Sequence, residues 1–201
     1  VEGVDLRILG WLSLVGLPYT YKFFWAPILD RYKMPIGPTS RRRGWLIFFL
    51  FAMSIALFLF SLVDFSNEYA LFFVAILAIL LAFFSSSFDV VFDAWRTEIL
   101  PKKIMGYGAG WSVIGYRFAM ITSGALALVI AELYFGFSGV YFLFGCVVFV
   151  FAMFVLLCPE EKTNTSPKSL KEAFKEPFKE FFCRTSAILI LVTIILYKLG
   201  D

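Results

Sequence analysis

Hydrophobic and polar positions along this chain fall into long blocks, not into alternation. A helix needs roughly 20 apolar residues to cross the ~30 Å hydrocarbon core of a bilayer. Residues 44–63, 69–88 and 138–158 meet that length without a single charge. Residues 8–29 meet it with one charge, Lys22, and residues 107–131 with one, Arg117. A sixth run begins near Ser186, but from 187 to 200 a helix would rise only about 21 Å, so the chain is expected to stop inside a span. The pattern predicts an all-α, polytopic membrane protein with about six transmembrane helices, the last one truncated. Between the fifth and sixth runs, Leu170, Phe174, Phe178, Phe181 and Phe182 recur at helical spacing among Lys and Glu. That spacing predicts an amphipathic helix over 168–184, lying on the membrane interface and bent at Pro177, unless the segment is a plain loop with solvated charges. The expected organisation is a bundle over 1–158, a cytoplasmic linker over 159–185, and the start of a second bundle over 186–201. The chain begins with Val1 and shows no basic, signal-like leader, which reads as a fragment of a longer protein whose first helix lies upstream.

The basic residues orient the spans. Of the 18 Lys and Arg residues, 14 fall in three alternate loops: Arg31 to Arg43, Arg96 to Lys103, and Lys162 to Arg184. The opposite loops, 64–68 and 132–137, have none. The positive-inside rule makes the basic loops cytoplasmic. Glu2 and Asp5 then face outward.

Composition narrows the function classes. The chain is 61% hydrophobic and 16% charged, against about 45–50% and 25% for soluble domains. A soluble enzyme, a disordered tail and a nucleic-acid binder are excluded. There is no histidine, so His-dependent catalysis, His metal sites and a His proton relay are unavailable. Cys146, Cys158 and Cys183 have no metal-type spacing and read as small hydrophobes. No cofactor is implied.

Charges within spans are costly and usually face a cavity or a partner. Asp89 and Asp93, four apart, share a helix face, with Arg96 three residues on. Ser85 or Ser86, Ala82, Ala78 and Ala75 continue that face outward, where small side chains admit a neighbouring helix or a ligand. Two like charges on one face favour a shared proton, the chemistry of a proton-coupled carrier; the alternative is that Asp93 and Arg96 pair to anchor the helix end. Arg117 shares its face with Gly106, Gly110 and Gly124, and fits either bidentate carboxylate recognition or an ion pair with Asp89. The other face of that helix carries Gly108, Ser112, Gly115, Ala119 and Ser123, a close-packing stripe. Lys22 lies among Tyr19 and Trp25, on a helix that Gly16 and Pro18 can bend. Lys22, Asp89 and Arg117 fall at similar depths, giving the polar centre of a transport site. An intramembrane aspartyl protease would need its two carboxylates on separate helices. A non-transporting sensor or scaffold is the other rival.

Two helices joined by a basic loop that begins Asp30-Arg31 and ends Arg41-Arg42-Arg43-Gly44 resemble the major facilitator superfamily. The stretches SLVGLPYTYKFFWAPILDRY, RRRGW, FDVVFDAWRTEILP, GYGAGWSVIGYRFAMITSGALAL and LYKLGD are similar to the AmpG-type muropeptide permeases of that superfamily. The resemblance implies a bacterial inner-membrane carrier that imports anhydro-muropeptides for cell-wall recycling, driven by protons. Acetyl-CoA or another anionic solute is the alternative cargo. Read from the charges within the spans, Asp89 and Asp93 are the proton-coupling candidates, and Lys22, Arg117, Tyr19 and Ser86 the substrate-binding candidates. Asp30, Arg31, Arg41, Arg42, Arg43 and Arg96 would form the gating motif at the basic end. The implied partners are the lipid bilayer, a small anionic amino-sugar or peptide substrate, and the proton; no nucleic acid and no enzymatic activity is implied.

Overall fold

A computed structural model describes residues 14–34, 41–64, 69–160, 174 and 179–199. All regular structure among them is helical: α1 (Leu17–Tyr21), α2 (Ala26–Arg31), α3 (Arg41–Ser61), α4 (Ala70–Ile99), α5 (Met105–Ile121), α6 (Ala127–Ile130), α7 (Gly136–Val155) and α8 (Ala187–Leu199). The spans Arg41–Ser61, Ala70–Ile99, Lys102–Tyr134 and Gly136–Val155 are each long and apolar enough to cross a membrane.

The first apolar run is broken where it is described. Short 3₁₀ turns at Leu14–Gly16 and Lys22–Phe24 precede α1 and α2, and each of these helices carries a proline in its first turn, Pro18 and Pro27. Proline has no N–H to donate and is tolerated where the helix has no donor to lose. The helix changes from 3₁₀ to α geometry after Gly16, where the sequence allows a bend, and a second such interruption that the apolar pattern hid sits at Lys22.

Helix α3 is packed between α4 and α7. Leu29, Leu46, Phe49, Val91 and Trp95 bury together and tie α2, α3 and α4 at the basic end. Leu50, Met53 and Ala152 join α3 to α7. Small residues let these two helices approach: a Cβ added at Gly145 would lie 2.7 Å from the Phe58 ring. The Ser54 hydroxyl donates to the Gly145 carbonyl at 2.9 Å. At the other end Ser138 donates to the Ser61 carbonyl.

Helix α4 has 30 residues, about 45 Å of rise, well beyond the ~30 Å core. Its apolar run stops at Phe88, but the helix continues through Asp89, Asp93, Arg96 and Glu98 to Ile99. Leu100 is extended ahead of Pro101 and ends it, as expected before proline. The next span, Lys102–Tyr134, has a π-type turn at Thr122–Leu126, ends in a second at Ala131–Phe135, and buries few of its residues.

The sequence reading of 132–137 as a loop is corrected. The helix runs on through Phe135, and Gly136, at φ 65°, turns the chain directly into α7. A single glycine in this conformation replaces a longer connection. In the linker, Phe174 and residues 179–182 are helical, and Arg184 pairs with Glu180 at 2.9 Å; the rest of the expected amphipathic helix, like Glu2, Asp5 and the leading part of the 8–29 run, lies outside the described residues.

Candidate functional site

Three arginines open α3, where the positive end of the helix dipole disfavours cations. Successive helical residues point about 100° apart, and each arginine reaches a different set of acceptors. Arg41 donates to the Asp30 carbonyl at 2.5 Å and lies 3.8 Å from Glu98 Oε1. Arg42 bonds Asp30 Oδ1 through Nη1 at 2.7 Å and Glu98 Oε1 through Nε and Nη2 at 2.7 and 2.6 Å. Arg43 turns to the opposite neighbour, donating to the Cys158 carbonyl at 3.0 Å and to Glu160 at 2.5 Å. Asp30, Glu98 and Glu160 thus supply the negative charge that holds three cations at a helix N-terminus. Arg41 and Arg42 are buried.

Glu98 is central to this clamp, and the sequence reading did not single it out. Its signal was a lone carboxylate at the last turn of a helix, on the same side as the arginines. Two residues of the expected gating motif stand apart. Arg31 lies over the Tyr32 ring at 5.5 Å. Arg96 pairs with Asp93 at 3.0 Å and donates to Ser112 at 2.6 Å, so it ties α4 to α5. The Asp93–Arg96 anchoring pair is therefore formed, and the Asp93 side chain is 64% exposed.

A second polar centre lies deeper, where the α1–α2 stretch packs on α4. Tyr19 donates to Ser85 Oγ at 2.7 Å. Trp25 Nε1 donates to Ser87 at 3.0 Å, with its ring against Phe83. Lys22 and Asp93 lie within electrostatic reach of Asp89. Tyr116, from α5, lies within electrostatic reach of Tyr19 and is a site residue that the sequence reading passed over among many aromatics. Ser86 is fully buried and donates to the Phe83 carbonyl at 3.0 Å; Ser85 is the serine that meets Tyr19. The small face of α4 is a packing face, with Ala75, Ala82, Ser86 and Ser87 buried.

The Arg96–Ser112 contact gives a common reference for depth. Asp89 is seven residues outward from Arg96 and Arg117 five from Ser112, or about 10 and 7.5 Å of helical rise. The two levels agree within about 3 Å. Arg117 is exposed and makes no ion pair among the described residues. A Cβ at Gly106, Gly110 or Gly124 would meet nothing within 4 Å, so its glycine face is open. On the opposite face, a Cβ at Gly108 would collide with Leu100, whereas Gly115 is open too; the close-packing stripe is used only near the basic end. The centre therefore offers a carboxylate beside an amine, a phenol–hydroxyl pair, and a guanidinium at a similar level. Among the described residues no group of carboxylates and cysteines could hold a metal ion.

The chain is 42% identical to the anhydromuropeptide permease of Escherichia coli strain K12 over 202 residues, which is all of this chain and 40% of that protein. It is 32% identical to the putative transporter AmpG 4 of Rickettsia conorii over 208 residues, covering 100% of this chain and half of that one. An uncharacterised protein of Haemophilus influenzae is 35% identical, with coverage of 98% and 47%. The chain thus spans about two fifths to one half of the length of these relatives. The profile of the Major Facilitator Superfamily matches residues 3–199. With helices able to span a bilayer and a match over nearly all of its length, this multi-pass membrane chain belongs to the Major Facilitator Superfamily.

Proposed function

We propose that the chain forms most of the first half of a proton-coupled secondary transporter that imports anhydro-muropeptides across a bacterial inner membrane. The observation that carries this reading is the 42% identity, without a large gap, to an anhydromuropeptide permease across the whole chain. In this reading residues 1–158 belong to the first bundle, 159–185 to a cytoplasmic linker and 186–201 to the first helix of the second bundle. The loops rich in Lys and Arg face the cytoplasm. The geometry supports a division of labour. Asp89, with Lys22 acting on it, takes up and releases the proton. Tyr19 and Ser85 offer hydroxyls to sugar groups, and Arg117 offers two parallel N–H donors to a substrate carboxylate. The Arg42–Asp30–Glu98 clamp holds α2, α3 and α4 together at the basic end while the site opens the other way.

The test is uptake of a labelled disaccharide, N-acetylglucosaminyl-1,6-anhydro-N-acetylmuramic acid, with and without its peptide, by cells carrying the carrier that contains this chain. Accumulation competed by unlabelled anhydro-muropeptide and not by acetyl-CoA supports the reading. Accumulation of acetyl-CoA in place of the disaccharide would transfer the site to another anionic solute.

A further inference from the structure

The contact between Arg96 and Ser112 fixes which side of α5 faces α4. Successive helical residues turn by about 100°. Tyr116 therefore lies about 40° round α5 from Ser112 and about 6 Å of rise further out. The other aromatic residues of α5, Tyr107, Trp111 and Phe118, lie about 100–140° from Ser112, and Arg117 about 140°. Tyr116 is thus the one aromatic side chain of α5 on the side that meets α4. On α4, Asp89 and Ser85 fall within about 20° of Arg96, so they continue the same line outward. Tyr19 comes to that line from α1 and donates to Ser85 at 2.7 Å. Tyr116 and Asp89 both lie within electrostatic reach of Tyr19. Phenols from α1 and α5 therefore open on one gap beside Asp89. Neither ring is covered: Tyr19 is 43% exposed and Tyr116 69%. The Tyr19 hydroxyl is committed to Ser85, and that of Tyr116 makes no hydrogen bond among the described residues.

We propose that the Tyr116 ring is a substrate contact, stacking on the N-acetylglucosaminyl ring of the anhydro-muropeptide in the gap between α1, α4 and α5. This role rests on the reading of the cargo given above and adds to it the residue that holds the sugar. A glucosaminyl chair carries its polar substituents around its edge, so its two faces present C–H groups. The face of an aromatic ring is the negative side of its quadrupole and attracts them. Such stacking uses the ring and not the hydroxyl, and it needs an open aromatic face, as Tyr116 has.

The test is equilibrium binding of the labelled disaccharide, with and without its peptide, to the purified full carrier in nanodiscs. Tyr116→Ala should weaken binding of both ligands equally, by about five- to tenfold, the scale of one aromatic stacking contact. Tyr116→Phe keeps the ring and should bind within about twofold of the parent. Both variants should keep the parental unfolding midpoint, because the side chain is exposed. Phe118→Ala, at a side chain 68% exposed on the same helix, removes a ring turned away from α4 and should leave binding unchanged. Parental affinity in Tyr116→Ala, an equal loss in Phe118→Ala, or a Tyr116→Phe as weak as Tyr116→Ala would overturn the stacking role and leave the cargo reading in place. A loss confined to the peptide-bearing ligand would overturn it too, placing Tyr116 against the peptide. A parent that binds acetyl-CoA and not the disaccharide would overturn the cargo reading and the sugar contact with it.

Discussion

Replacing Arg42 by methionine removes the charge at the centre of the clamp while keeping an apolar stem in its place. The Arg42 side chain is 9% exposed and its partners Asp30 and Glu98 are 38% and 21% exposed. Glu98 already has one buried oxygen, Oε2, without a hydrogen-bond partner among the described residues. Breaking a fully buried pair costs about 3–5 kcal/mol because the remaining charge is left without compensation. The partial exposure of both carboxylates and the retained Arg41 at 3.8 Å soften that to about 2 kcal/mol. Unfolding of the purified carrier in mixed SDS micelles measures it. The double variant Arg42→Met, Glu98→Gln should recover about half of the loss, because it removes the stranded carboxylate as well. Stability of Arg42→Met equal to the parent, or a double variant whose costs simply add, would refute the claim that these groups act as one unit.

Other outcomes follow from the same structure. Ser66→Cys should react with a membrane-impermeant maleimide in intact cells and Ser40→Cys should not; the reverse pattern would invert the topology. Gly145→Ala should destabilise by about 1–3 kcal/mol, since its Cβ meets Phe58 at 2.7 Å, whereas Gly106→Ala should be close to neutral because nothing lies within 4 Å; the same unfolding assay compares them. Arg117→Lys should raise the apparent KM for anhydro-muropeptide about tenfold at unchanged protein level, from loss of bidentate binding, and the binding defect of Arg117→Ala should persist in Arg117→Ala, Asp89→Ala, because Arg117 makes no ion pair among the described residues.

The spans were legible because length and uniform hydrophobicity are enough to identify them. Helix ends were less so. The apolar run of α4 stops at Phe88, yet the helix continues to Ile99, through a stretch in which Ala94, Arg96 and Glu98 are good helix formers. The turn at Gly136 was hidden because one residue at positive φ leaves no stretch of loop composition. At the site, Lys22 announced itself as a charge inside an apolar run, and Asp89 as the first of two carboxylates four apart just past the end of one. Glu98 did not, because a carboxylate at a helix end is ordinary, and its value depends on which arginine arrives there from 56 positions away. The choice between Ser85 and Ser86 depended on a rotation of about 100°, which the packing of α1 decides through Tyr19.

The coupling of protons to uptake at Asp89 is the central claim, and proteoliposomes containing the full carrier test it most directly. Labelled anhydro-muropeptide is followed in two modes with the parent and with Asp89→Asn: accumulation driven by an imposed pH gradient, and counterflow against unlabelled substrate without a gradient. The account predicts that the parent does both, while Asp89→Asn loses gradient-driven accumulation and keeps counterflow, because the substituted amide preserves shape but carries no titrating proton. Gradient-driven accumulation by Asp89→Asn at the parental rate would contradict it.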